Sequence, residues 1–380
     1  MARGATPVGR DVEIGCRFTK ARRVRRLTAA REEQSVTDMD TFPFELGPIR
    51  PVDEAESLLI RTTRGCPWNR CEFCVNYRDM KFSMRSLTEV KRDIIAAAEY
   101  YRGRRFASCF LQDGDSFLMK TGDLVELLSF LKREFPGLER ISSYGRAQTM
   151  VRKSDQEMRD ICQAGLTKLY CGMESGSDRV LAKVNKGVTA AEISVAGRRA
   201  KAAGMSVSEF VILGLGGREL WEEHARETAR VLSEIDPHFI RVLTIGVKPG
   251  SGLLRKMEAG EYTLQTEQNI IEEQRLLLEN LIDITSHYAN HHAVDLLMEA
   301  RGQFPQDKPR LLAIMDRYLS LPEEERMHFT LGKRLGIYQR LDDMKSDPLR
   351  EQVAPQMRRI QADYPGRMEE IFHHLRSQIV

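Results

Sequence analysis

Two hydrophobic periods alternate along this chain. Short apolar runs occur at residues 57–63, 106–112, 140–144, 167–173, 205–213 and 239–246. Their length suits strands buried on both faces of a sheet. Between them apolar residues return at helical spacing, as in Leu124, Leu127, Leu128 and Leu131. Helix starts are marked by three pairs, Ser86 with Glu89, Ser154 with Glu157 and Thr189 with Glu192, each the signature of a capping box. Gly165 and Gly204 stand where helix ends belong, and Pro237 stops a helix over 219–235. Six strands alternating with helices predict a parallel sheet with helices packed outside. Six units fall short of the eight in a closed barrel, so the expected fold is α/β, a partial (β/α)6 TIM-type barrel. After Gly252 strand signals fade, and residues 264–284, 309–319, 322–341 and much of the last 25 read as helices. The expected organisation is a basic, disordered extension over 1–40, the barrel over 41–255 and a helical region over 256–380.

Composition narrows the class. The chain has 380 residues, a net charge of +3 and no apolar run approaching the roughly 18–20 residues of a membrane span. That charge neither requires nor excludes a nucleic-acid partner. Arg22, Arg23, Arg25 and Arg26 cluster near the start without an apolar period, the pattern of a disordered tail. Asp11, Glu13, Glu32 and Glu33 argue against a transit peptide, and Met39 offers a natural start. The seven cysteines are odd in number and three of them crowd into nine residues. This favours a clustered metal site in a reducing compartment, the cytoplasm, over a disulfide framework.

That cluster is Cys66-Pro-Trp-Asn-Arg-Cys71-Glu-Phe-Cys74. Thiolates are soft ligands that suit iron–sulfur clusters and zinc. Three cysteines in one tight loop can hold three irons of a 4Fe–4S cluster and leave the fourth open. A structural zinc would require a fourth ligand, and no other cysteine or histidine lies within 30 residues. Zinc with a distant ligand and plain buried thiols remain the alternatives.

The loop Arg64-Gly65-Cys66-Pro67, followed by Cys71, Phe73 and Cys74, resembles the cluster loop of the radical S-adenosylmethionine (radical SAM) superfamily. It is most similar to the group with an oxygen-independent coproporphyrinogen oxidase or elongator-like core. One departure is the spacing, with four residues between the first two cysteines where three are usual. The resemblance runs from about Leu58 to Leu254 and extends to the loops that close the other strands. It implies that Asp113-Gly114-Asp115 holds the amino group of S-adenosylmethionine, where residue types alone permit an ordinary turn. Arg146, after Tyr144-Gly145, would pair with the methionyl carboxylate, or else lie solvated. Glu174 and Ser175 would bond ribose hydroxyls or the ligand's polar end, unless Ser175 only caps the next helix. The segment Val211-Ile212-Leu213 would pack against adenine, with Gly214 and Gly216 giving backbone contacts. Phe73 is the family's aromatic before the last cysteine. Lys248-Pro249-Gly250-Ser251-Gly252 is similar to a further family loop. Lys186-Gly187 is explained well enough by a helix-ending glycine.

The resemblance implies a 4Fe–4S cluster on Cys66, Cys71 and Cys74, S-adenosylmethionine at its open iron, and an electron donor such as flavodoxin or ferredoxin. The reaction it implies is reductive cleavage to methionine and a 5′-deoxyadenosyl radical that removes hydrogen from a substrate. With neither an aromatic–basic stacking platform nor an RNA-binding motif in the sequence, a small molecule is expected and nucleic acid is not. Modification of tRNA or protein within the same superfamily is the second reading, and a non-catalytic iron–sulfur or zinc protein the third. Residues 286–292 hold the densest histidine cluster. Read as a helix end, it would put His287 and His291 on one face; the rival reading is a lid over the substrate. Cys109, Cys162 and Cys171 fit the core.

Overall fold

The computed structural model describes residues 42–379, so the basic extension expected over 1–40 lies outside the described residues. Eight strands form one sheet: β1 (Leu58–Arg61), β2 (Ser108–Gln112), β3 (Arg140–Gly145), β4 (Leu166–Glu174), β5 (Ser206–Leu213), β6 (Phe239–Thr244), β7 (His287–Asn290) and β8 (Arg301–Gln303). Each pairs with the next in chain order, and β1 and β8 are the free edges, so the barrel is open. The pairings from β1 to β7 are parallel; β8 runs antiparallel to β7.

Helices α1 (Leu87–Tyr100), α2 (Thr121–Glu134), α3 (Asp155–Ala164), α4 (Ala190–Ala202), α5 (Gly217–Ile235) and α6 (Glu267–Asn280) lie on the connections. The three capping boxes form as the sequence predicts, at the starts of α1, α3 and α4. Gly165 ends α3 at φ 126°, a conformation that side chains disfavour. On β4 the pleat sorts residues by side. Leu169, Cys171 and Met173 enter the hydrophobic core, while Tyr170, Gly172 and Glu174 face a cavity inside the barrel.

The strand starts are closed by a 3-10 turn, Val52–Glu54, whose acids meet the barrel's basic residues. Buried Glu54 accepts from the Tyr170 hydroxyl at 2.6 Å and from Arg140 at 3.0 Å. Asp53 pairs with Arg241 and lies 2.8 Å from His291 Nε2.

Two strands escape sequence reading. The expected helix end at 286–292 is instead β7, so the two histidines share no helix face. Its polar residues conceal the alternation. Asn290 is buried because Gln274 donates to it at 2.6 Å and it donates to the Leu297 carbonyl at 2.8 Å. Residues 264–303 thus add a strand pair to the sheet before the helices α7 (Lys308–Leu319), α8 (Glu323–Arg334), α9 (Asp347–Asp363) and α10 (Met368–Ser377). These share a core with the second half of the barrel: Val242, Ile271, Leu278, Met315, Phe329 and Phe372 belong to one apolar cluster. Among the described residues no helix is long and apolar enough to cross a membrane.

One buried ion triad fastens α6, α8 and α10 together. Glu267 receives Arg334 at 2.6 and 3.0 Å and Arg376 at 3.1 Å, with all three side chains out of water. Burial alone would raise the Glu267 carboxyl; the two guanidiniums outweigh it and hold the group below its usual range. Removing the acid leaves two buried cations unpaired. Glu267→Ala should cost about 3–5 kcal/mol and lower the thermal midpoint by roughly 10 °C. An unchanged calorimetric midpoint would show that the triad holds nothing together.

Candidate functional site

The cysteine loop begins where β1 ends. Thr63–Arg64 pairs antiparallel with Ser83–Met84 and closes the loop at its base. Within it Gly65 and Asn69 take left-handed backbone, φ 78° and 47°. Asn69 is one of the four residues between Cys66 and Cys71, and its side chain donates to the Tyr77 carbonyl at 2.6 Å. Asparagine tolerates this left-handed conformation. Arg78 donates to the carbonyls of Cys71 and Cys74 at 2.8 and 2.9 Å and fixes the turn between them.

The loop is docked onto neighbouring strand ends by backbone contacts. Gly114 N donates to Gly65 O at 3.2 Å, and a Cβ on Gly114 would come within 2.9 Å of Cys66 Cα and Cβ. Glu72 N donates to Val184 O, and Leu253 N to Glu72 O, both at 2.8 Å. Trp68 Nε1 donates to Asn185 O at 2.8 Å. Its ring lies against Gly187, where a Cβ would meet it at 2.3 Å. Trp68 thus packs against the Lys186-Gly187 turn, which becomes part of the site.

These contacts set Cys66, Cys71 and Cys74 on the rim of one cavity of about 400 Å³. Four more of the sequence candidates line it: Phe73, Gly114, Arg146 and Glu174. Glu174 ends β4 at φ 62° and accepts from Lys186 Nζ at 2.7 Å. Burial opposes the Lys186 charge, but the Glu174 carboxylate and the Cys71 thiol outweigh it and raise the ammonium above its usual range. Arg146 Nη1 lies 3.7 Å from Cys66 Sγ. Burial pushes the Cys71 thiol up, and Lys186 and Arg146 work against that rise.

The remaining candidates stand behind the cavity wall. Buried Asp113 Oδ2 accepts from Arg61 at 2.7 Å and from Gly65 N at 3.1 Å, bracing the base of the cysteine loop. Asp115 is buried against the Thr149 hydroxyl, and burial raises its carboxyl to about 7. Buried Ser175 accepts from Ser177 N at 3.0 Å within its own turn. Gly214 and Gly216 shape the loop into α5 without lining the cavity, whereas Ile212 does line it.

Several lining residues were not singled out from sequence as site residues. Tyr144, Tyr170 and Phe210 form an aromatic wall, and Leu243, Ile245 and Lys248 extend it. Inward alternation along β4 and β5 is the signal that finds Tyr170 and Phe210. Tyr77 is also on the cavity, buried, with a hydroxyl that has no hydrogen-bond partner among the described residues.

The donor set fits the expected cofactors. Three thiols share one rim, while a carboxylate, an ammonium and a guanidinium face the same space. Gly114 leaves room for close approach, and the Tyr77 hydroxyl is free to bond a ligand. Among the described residues no three Cys, His, Asp or Glu side chains converge as a single metal ion would require.

An open barrel of mostly parallel strands carries a three-cysteine loop over a cavity at its strand ends. Residues 60–232 match the family model described as the Radical SAM superfamily, so this segment of the chain is a radical SAM domain. Its cofactors are a 4Fe–4S cluster and S-adenosylmethionine. The chain is 29% identical over 229 residues to a tRNA-2-methylthio-N(6)-dimethylallyladenosine synthase of Bordetella parapertussis, covering 55% of this chain and 46% of that one. The Bordetella pertussis counterpart is 28% identical over 229 residues, covering 55% and 48%. The chain thus spans about half the length of these relatives. Among solved structures, methylornithine synthase is 23% identical with a TM-score of 0.42, covering 59% of this chain and 62% of that one. Coproporphyrinogen III oxidase from Escherichia coli is 17% identical with a TM-score of 0.47, covering 59% and 52%.

The Gly114–Cys66 contact gives a direct test of the docking geometry. Gly114→Ala should displace the Cys66 backbone and lower iron incorporation on anaerobic reconstitution, with little change in far-UV circular dichroism. Full iron occupancy in the variant would mean that this close approach does not position Cys66.

Proposed function

We propose that Cys66, Cys71 and Cys74 hold the cluster and that Arg146, Glu174 and Lys186 bind the polar end of S-adenosylmethionine beside it. The observation that carries this reading is the facing of the three thiols and the Glu174–Lys186 pair across one cavity. A cluster held by Cys66, Cys71 and Cys74 would, when bound, supply the electron for reductive cleavage of S-adenosylmethionine. The protein's part is to bind, orient and exclude water. Arg146 offers its planar fork to a carboxylate. Ile212 and Ile245 offer an apolar surface to the adenine. Tyr144, Tyr170, Phe210 and Leu243 would give the reaction space an apolar wall, with Lys248 also on its lining. The Tyr170 hydroxyl is turned away, spent on Glu54.

Such a wall favours a substrate that presents an uncharged carbon, and a small molecule is the first reading. The second is a base in tRNA, which the names of the Bordetella relatives support. Flavodoxin or ferredoxin is the proposed electron donor.

Anaerobic protein with dithionite and S-adenosylmethionine should release 5′-deoxyadenosine; a cluster-replete protein that releases none would contradict the proposal. Replacing Glu174 by alanine removes a charged hydrogen-bond acceptor. Losing such a bond costs on the order of 1.5–3 kcal/mol, so S-adenosylmethionine affinity should fall about tenfold or more while the cluster spectrum stays intact. Equal affinity in equilibrium dialysis would remove Glu174 from the site.

A further inference from the structure

Glu174 and the Gly214 loop lie on different strands, yet one carboxyl reaches both. Glu273, on α6, is fully buried. Its Oε1 accepts from Gly214 N at 2.9 Å, and its Oε2 accepts from Gln265 Nε2. The same Oε1 lies 3.5 Å from Nδ1 of His224 on α5, itself 1% exposed. On the other side of that ring, Nε2 lies 3.3 Å from the main-chain carbonyl of Glu174. Both ends of this relay hold unusual backbone: Glu174 at φ 62° and Gly214 at φ 82°. For a glutamate that conformation is unfavourable and persists only where surroundings over-determine it.

We propose that Glu273 is a positioning residue for S-adenosylmethionine, setting the loop after β5 directly and the Glu174 turn through His224. This rests on the reading of Glu174 as a cofactor-binding residue. The geometry supports it in three ways. The relay spans α5 and α6, so it fixes the two strand ends relative to each other and not each by itself. It grips main-chain atoms, so it sets where the Glu174 carboxylate points without competing for its contacts. It is buried and nearly saturated: Gly214 N and Gln265 Nε2 donate to the Glu273 carboxyl, with His224 Nδ1 packed beside it at 3.5 Å, so removing it leaves two buried donors without partners. Burial also lowers His224 to about 4, so at neutral pH the ring carries one N–H; with that proton on Nε2 it donates to the Glu174 carbonyl, and Nδ1 faces Glu273 Oε1 as an acceptor, which suits a carboxyl that burial raises to about 7. Glu273 belongs to the region beyond the matched 60–232 segment, which gives the C-terminal part of the chain a role in cofactor geometry.

The test compares Glu273→Ala and Glu273→Gln with the wild-type chain, all reconstituted anaerobically. Cluster absorbance per chain, thermal midpoint and S-adenosylmethionine affinity are measured on each. Glu273→Ala should retain the wild-type cluster spectrum but bind S-adenosylmethionine about tenfold more weakly, since the buried Gly214 N–H loses its acceptor. Glu273→Gln keeps an acceptor for Gly214 N and should restore most of the affinity. Wild-type affinity in Glu273→Ala would overturn the proposal. So would a parallel loss of cluster and affinity in both variants, because that is the signature of a purely structural residue. A wild-type protein that carries its cluster yet binds no S-adenosylmethionine would instead overturn the functional reading beneath it.

Discussion

The site depends on how closely the cysteine loop can approach the end of β2. Gly114 has no side chain, and Cys66 occupies the space one would need. Asp113, next to it, holds Gly65 N and Arg61 from a position sealed from water. A buried carboxylate is expensive unless paired, so these donors and Asp113 fix one another. With that anchor in place the loop is carried over the barrel mouth, and Trp68 and Glu72 reach the β4 and β6 loops. The three thiols then face Glu174, Lys186 and Arg146. Each loop alone is a modest feature; their convergence follows from a parallel sheet that brings every strand C-terminus to one end.

Much of this was legible in the sequence because it is local. Capping boxes, helix-ending glycines and buried strand runs are decided within a few residues, and all six expected strands and their helices form. The cysteine loop was legible for the same reason, since thiol chemistry and close spacing need no tertiary context. Of the other site candidates, Phe73, Gly114, Arg146 and Glu174 line the cavity. Asp113, Asp115, Ser175, Gly214 and Gly216 lie one layer behind it. A sequence motif marks a loop but not which of its side chains turns inward, and that choice is made by partners distant in sequence, such as Arg61 for Asp113 and Thr149 for Asp115.

What escaped detection depends on long-range pairing. β7 reads as a polar stretch rich in histidine; it is a strand because β6 offers a free edge and Gln274 satisfies Asn290 inside the core. Lys186 looks like the tail of a helix until Trp68 folds over Gly187 and the ammonium meets Glu174. Glu273 and His224 carry no motif, and only burial makes them conspicuous. The region after the barrel, expected as a helical appendage, therefore contributes to the core and reaches the back of the site.

The central claim is that this one loop, despite its longer spacing, holds a cluster with an iron left open. Iron and sulfide analysis with electron paramagnetic resonance of the dithionite-reduced protein tests it most directly. The account predicts about four irons and four sulfides per chain, a reduced-cluster signal that changes when S-adenosylmethionine is added, and loss of all three in a chain with Cys66, Cys71 and Cys74 replaced by alanine. A full cluster in that triple variant, or a signal indifferent to S-adenosylmethionine, would contradict it.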